Sequence, residues 1–146
     1  MAGKNFLGVS IAFGDREMGL WKKKLDHKAR KDFMKQTDRV TQESSLMLLE
    51  AVRKNASGRP GPRVITNAYR SSWGAKIVSG KQGQQVAVVA SDHPAAWRLE
   101  YGFSGRDSLG RNYNQPPFPH FRPAFEKTQE FFFKSMDAVM AEWTDK

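Results

Sequence analysis

Histidine, carboxylate and hydroxyl side chains are the groups from which this chain could build a reactive site. It contains no cysteine, which removes thiolate ligands, a cysteine nucleophile and disulfides. Its three histidines, His27, His93 and His120, stand far apart in sequence, and none has a second histidine at a ligand spacing. Asp92 beside His93 could be a metal or acid–base pair, but a helix cap followed by a turn residue accounts for the dipeptide more simply. Glu100, in "LEYG", is a carboxylate with no visible partner and is expected as half of a surface ion pair. "SGRPG" lacks the Gly-Lys-[Ser/Thr] that completes a phosphate loop. "YGFSG" has Phe at the centre where a nucleophile elbow needs Ser. With no nucleophile, base and oxyanion donor converging, the expectation is a protein that is not an enzyme, with no metal and no cofactor.

The charge and the aromatic residues carry more. The net charge of +9 favours an anionic contact such as nucleic acid, an acidic protein surface or a membrane surface. Residues 55–76 hold Arg59, Arg63, Arg70 and Lys76 and no acid, so Arg59 and Arg63, flanking "PGP", are the candidate contacts to DNA in a channel. The "PGP" core is expected to hold that loop extended. The aromatic residues from Trp73 onward must supply much of the core. Those on or beside the stretch 102–119 have fewer chances of burial. Tyr101, Phe103, Tyr113 and Phe118, with Arg106 and Arg111, have the composition of a protein interface. They also suit stacking on single-stranded bases.

The elements that position these groups follow from pattern. "FLGVSIAF" (6–13) is expected as a strand. "GD" at 14–15 then turns the chain, with Asp15 available as a helix N-cap. From Arg16 to about Asn55 apolar residues recur at helical spacing. That stripe is thin between Leu25 and Met47, which suggests a break near Asp38 and a face solvated or packed on another subunit. "NASGRPGPR" ends the helix. Residues 73–79 and 85–91, joined by "GKQG", read as an antiparallel hairpin. A short helix, with Asp92 as cap, stops at Gly102. An irregular protruding loop runs to about Pro119. A final helix from about Arg122 to Thr144 presents Phe125, Phe132, Met136, Val139, Met140 and Trp143. The expected class is α+β: a small antiparallel β-sheet packed by a long N-terminal helix and a C-terminal helix, in one domain over 1–146. No apolar run approaches the ~18 residues of a membrane span, so no membrane contact is expected. "KNFLGVSIAF" is too short and too polar at its flanks for a secretory signal, which predicts a cytoplasmic product.

Three segments together have a familiar order: "PRVITNAYRSSW" (62–73), "HPAAWRLEYGF" (93–103) and "PPFPHFRPAFEK" (116–127). In this the chain resembles the tail-component family of long-tailed bacteriophages, the minor tail or tail-completion proteins of the head–tail joining cluster. The likeness spans nearly the whole chain. It departs from the family pattern at Asn67, where Gly is usual, and at Pro94-Ala95, where Tyr-Ala is usual. The resemblance implies a structural virion protein of the head–tail neck, made in the host cytoplasm. It would form a self-assembled ring, a hexamer to match the sixfold tail, and would contact connector, tail terminator or tail tube proteins. Non-specific contact with genomic DNA fits the same location. Residues 102–119 would be the assembly surface. The alternative from composition is a basic nucleic-acid-binding protein.

Overall fold

The computed structural model describes residues 7–144. Strand β1 (Leu7–Ile11) is followed by helices α1 (Asp15–Lys24), α2 (His27–Asn55) and α3 (Ala68–Ser72). Strands β2 (Gly74–Ser79) and β3 (Gln85–Ser91), helix α4 (Ala96–Tyr101), strands β4 (Phe103–Arg106) and β5 (Asn112–Gln115), and helix α5 (Phe121–Thr144) complete the chain. The first strand thus covers most of its expected span; Phe6 lies outside the described residues.

The expected α+β architecture is present. β3 is the centre of a three-stranded antiparallel sheet in the order β1-β3-β2, with Val9 opposite Val89 and Ile77 opposite Ala87. α2 packs on this sheet and α5 packs along α2. The β2–β3 turn closes through Gly80 N donating to Gln84 O at 2.7 Å. The Gln84 side chain is buried and donates to Asp15 Oδ1 at 2.5 Å, tying this turn to the start of α1. Asp15 is therefore the first residue of α1 and a partner of Gln84; the N-cap is Gly14 and no side chain caps the helix.

The break in the long helix falls at Leu25–Asp26, not near Asp38. Asp26 caps α2 by accepting from Ala29 N at 2.8 Å, the bond that satisfies an otherwise orphan donor. Asp38 lies inside the continuous helix and accepts from Gln85 N at 2.8 Å, pinning α2 to β3. The thin part of the stripe is not solvated: Thr37, Val40, Thr41, Ser44 and Ser45 are all buried. Thr41 Oγ1 donates back to Thr37 O at 3.0 Å, and Thr37 Oγ1 to Met34 O at 2.9 Å. Ser45 Oγ donates to Gln42 O at 2.8 Å, so Thr37, Thr41 and Ser45 can line the helix contact because their hydroxyls find partners on their own helix, whereas the buried Ser44 Oγ has no partner among the described residues.

The core has two parts. Leu7, Ile11, Leu48, Val52, Trp73, Ala87, Val89, Ala96, Phe121 and Ala124 pack between the sheet and the helices. Phe13, Met18, Phe33, Val40 and Met136 pack at the other end, with Trp21 and Trp143 on their flank. Phe132 of α5 touches both clusters. Trp73 is fully buried and stacks on Phe121 at 5.3 Å between ring centroids. Among the described residues, no helix is long and apolar enough to cross a membrane.

Candidate functional site: an aromatic–arginine face on α4 and the β4–β5 hairpin

The stretch 102–119, expected as an irregular protruding loop, contains a two-stranded antiparallel hairpin. Phe103 pairs with Gln115, and Arg106 with Asn112. Its turn is built by Asp107, whose Oδ1 accepts from Leu109 N at 3.0 Å and from Arg111 N at 2.9 Å. Gly110 supplies the positive φ of +77° that the turn needs. Those backbone bonds, joined by the Arg111 side chain, hold the Asp107 carboxyl below the usual carboxylate range. The segment therefore carries hydrogen bonds of its own.

α4 aims the face. Asp92 does not cap this helix: its N-cap is Ala95, with no side-chain bond. The entry turn is made instead by His93, whose Nδ1 accepts from Ala95 N at 3.1 Å. Gly102 ends the helix at φ +79°, and its N–H reaches Arg98 O at 2.9 Å. A side chain there would place Cβ 2.7 Å from Gln115 O, so glycine is required by both conformation and space.

Two ring pairs and one guanidinium lie on α4 and the hairpin. Trp97 and Tyr101, exposed at 41% and 58%, stack at 5.1 Å. Phe103 and Tyr113 meet at 6.3 Å across the hairpin. The Arg98 guanidinium lies over both, 4.7 Å from the Phe103 ring and 5.3 Å from the Tyr113 ring. Trp97 and Arg98 belong to this group although the sequence did not single them out as interface residues; their position within the turn before Tyr101 and Phe103 was the available signal. The other expected residues are placed differently. Arg106 is exposed and its Nε donates to Asn112 Oδ1 at 3.3 Å. Arg111 pairs with Asp107 at 2.6 Å.

Phe118 is half-buried and sits apart, under the Arg59 guanidinium at 3.8 Å. This cation–π contact joins a residue expected at a protein interface to one expected at DNA. The loop that carries Arg59 is not extended: residues 56–61 turn back, and Gly61 and Pro62 are buried. Arg63 is exposed.

Behind the face lies a buried polar cluster. Glu100 is 3% exposed, which corrects its expected place in a surface ion pair. Its carboxylate accepts three backbone N–H bonds at the start of α5, from His120, Phe121 and Arg122, each at 2.9 Å. An anion is favoured there because a helix N-terminus leaves N–H donors without intrahelical partners. His120 is fully buried. Its Nδ1 is 2.8 Å from Phe118 O and 3.0 Å from Glu100, and its Nε2 meets the Tyr69 hydroxyl. A carbonyl oxygen only accepts, so Nδ1 carries the proton and neutral Nε2 accepts from Tyr69. Burial pushes the His120 pKa down, against the opposing influence of the Phe118 carbonyl and Glu100. Burial, aided by the Glu100 charge, pushes the Tyr69 hydroxyl far up.

Carboxylate, imidazole and phenol are groups that enzymes use, but here each is consumed by a structural bond. The Glu100 hydrogen bonds join α4 to the start of α5, and Phe118, which accepts from His120 Nδ1 and whose N–H donates to Leu99 O at 2.8 Å, ties the segment after the hairpin to both helices.

Among the described residues, no group of three His, Asp or Glu side chains could hold a metal ion. A groove of about 1160 Å³ runs along α2. Its walls mix Arg30, Lys31 and Lys35 with Asp32, Asp38 and Glu142, so they present no single sign of charge. No protein-family model, no curated protein and no solved structure matches this chain.

Proposed function

We propose that this chain is a non-enzymatic structural protein of a bacteriophage head–tail junction. It would act by assembling with copies of itself into a ring, a hexamer by family resemblance, and with neighbouring connector, terminator or tube proteins. The observation that carries the proposal is the exposed aromatic–arginine face of Trp97, Arg98, Tyr101, Phe103 and Tyr113. Aromatic and arginine side chains dominate the energetics of protein interfaces. The exposed Trp97 and Tyr101 rings, already stacked on each other, lose little further entropy on docking. The buried Glu100 cluster supports the same reading, since it holds that face in a defined orientation.

The rival reading, a nucleic-acid-binding protein using Arg59 and Arg63, draws less support from its own loop. Arg59 is held over Phe118 within the subunit.

The test is light scattering and electron microscopy of the purified protein, alone and with tail tubes of the phage that encodes it. Parent protein is compared with the Trp97→Ala, Tyr101→Ala, Tyr113→Ala triple variant. The expected result is a ring or a tube-bound collar with the parent, lost in the variant while its thermal midpoint stays within a few degrees. Assembly of the variant at parental concentrations would overturn the proposal.

A further inference from the structure

More than half of the net charge lies in one short segment. Residues 22–39 hold eight Lys or Arg (22, 23, 24, 28, 30, 31, 35 and 39) against three Asp (26, 32 and 38), a net +5 of the chain's +9. Two of those carboxylates are committed to backbone donors: Asp26 to Ala29 N and Asp38 to Gln85 N. Arg39 is paired with Glu43 at 2.8 Å. Lys22 reaches the Gln82 carbonyl, and Lys24 lies over the Trp21 ring at 5.5 Å; neither is paired with a carboxylate among the described residues. Among the described residues, Lys23, Lys28, Lys31 and Lys35 are exposed and no carboxylate pairs with them.

The fold turns that composition into a surface. Lys28, Lys31, Lys35 and Arg39 follow at steps of three and four along α2, so they form one stripe about 16 Å long at ~1.5 Å per residue. At about 100° per residue, this stripe points away from the face that carries buried Phe33, Thr37, Val40 and Ser44. Asp32 lies within the stripe and among the described residues takes no ion pair; Asp38 and Glu142 line the groove beside Lys31, Lys35 and Arg39, so that groove holds four basic residues (Arg30, Lys31, Lys35 and Arg39) against three acids. The last turn of α1, with Lys22, Lys23 and Lys24, precedes the N-terminal end of α2 by two residues.

We propose that the lysine stripe of α2, with the last turn of α1, is a docking surface for the phosphate backbone of double-stranded DNA, independent of base sequence. Lysine is depleted at the centre of protein–protein interfaces, whereas sequence-independent DNA contact is made by Lys and Arg to phosphates. The stripe offers point charges and no exposed aromatic ring, the opposite chemistry to the face on α4 and the hairpin. The two surfaces therefore take different partners, and the DNA contact does not depend on ring assembly.

The experiment measures binding of the full chain to a fluorescent mixed-sequence DNA duplex across a salt series. The same series is run on a duplex of unrelated sequence, with poly-glutamate as competitor. The parent should bind both duplexes equally, with log affinity falling linearly in log salt. Lys31→Gln with Lys35→Gln should weaken binding on the order of tenfold and reduce the salt slope by about 1.8, at ~0.9 for each phosphate no longer neutralised. Lys31→Arg with Lys35→Arg should retain parental binding. Lys81→Gln with Lys127→Gln, which removes two exposed charges elsewhere, should leave the slope unchanged. Circular dichroism checks folding of each variant. Light scattering on the same samples separates a failure to bind DNA from a failure to assemble. No DNA binding by the parent, parental binding by the Gln pair, or displacement by poly-glutamate at equal charge would each overturn the proposal; the last would assign the stripe to an acidic protein.

Discussion

Glu100 and His120, twenty residues apart in sequence, are joined by a 2.9 Å hydrogen bond from the His120 backbone nitrogen to the Glu100 carboxylate. That carboxylate also takes the N–H groups of Phe121 and Arg122, so the last residues of α4 cap the first residues of α5. Tyr101, Phe103 and Tyr113 lie on the chain that closes between these two points, and Trp97 and Arg98 lie on the helix turn just before it.

Removing the cap should loosen the whole face. Glu100→Ala leaves three buried or half-buried donors without an acceptor, and each unsatisfied donor costs about 1–3 kcal/mol. We expect a loss of at least ~3 kcal/mol in urea unfolding and a smaller loss for Glu100→Gln, which keeps one acceptor oxygen. Equal stability of parent and Glu100→Ala would show that the cap contributes nothing.

Acid should destabilise the protein through His120. Burial depresses its pKa in the folded chain, while the unfolded side chain titrates near ~6.5. Below that pH the unfolded chain binds the extra proton first. The contribution is therefore complete above about pH 6.5 and is lost as pH falls through the folded pKa. The urea midpoint of the parent should drop between neutral and mildly acidic pH more steeply than that of His120→Gln. Parallel pH curves for the two proteins would refute this assignment.

Gly102→Ala should be costly for a residue at the surface of a turn. Its φ of +79° is strained for alanine, and Cβ would stand 2.7 Å from Gln115 O. The expected loss is at least about 1–2 kcal/mol. It should be accompanied by faster hydrogen exchange in the β4–β5 hairpin than in β3. A variant as stable as the parent would mean that the turn tolerates another conformation.

Neighbouring phenylalanines on α5 should behave differently. Phe132 is half-buried against both core clusters, whereas Phe131 is 36% exposed. Phe132→Ala should cost about 2–3 kcal/mol, below the ~3–5 kcal/mol of a fully buried Phe. Phe131→Ala should stay within about 0.5–1 kcal/mol of the parent. Thermal unfolding of the two single variants makes the comparison, and equal losses would contradict the assigned helix face.

What the sequence determined by itself was what local pattern can encode. Apolar residues at helical spacing marked the last helix, and β-branched runs around "GKQG" marked the β2–β3 hairpin. Gly102 marked a stop. The α+β class followed from these, because an amphipathic helix and a half-apolar strand each need a partner layer. The tertiary structure decided whatever depends on residues distant in the chain. A break near Asp38 was expected because the apolar stripe thins there; the break falls instead at Leu25–Asp26, and Asp38 is held in the helix by a bond from Gln85 N, 47 residues away. The β4–β5 hairpin escaped notice because "FSGR" and "NYNQ" hold few strand-forming residues; its turn is set by one Asp107 carboxylate. Glu100 looked like a lone surface acid because the donors that bury it belong to the next helix. The lysine stripe was hidden for the opposite reason. Counted over 15–54, its charges are diluted by Asp15, Glu17, Glu43 and Glu50, and only the winding of α2 separates the stripe from the buried face. Charge and ring content are properties of composition; which of them share a surface is a property of the fold.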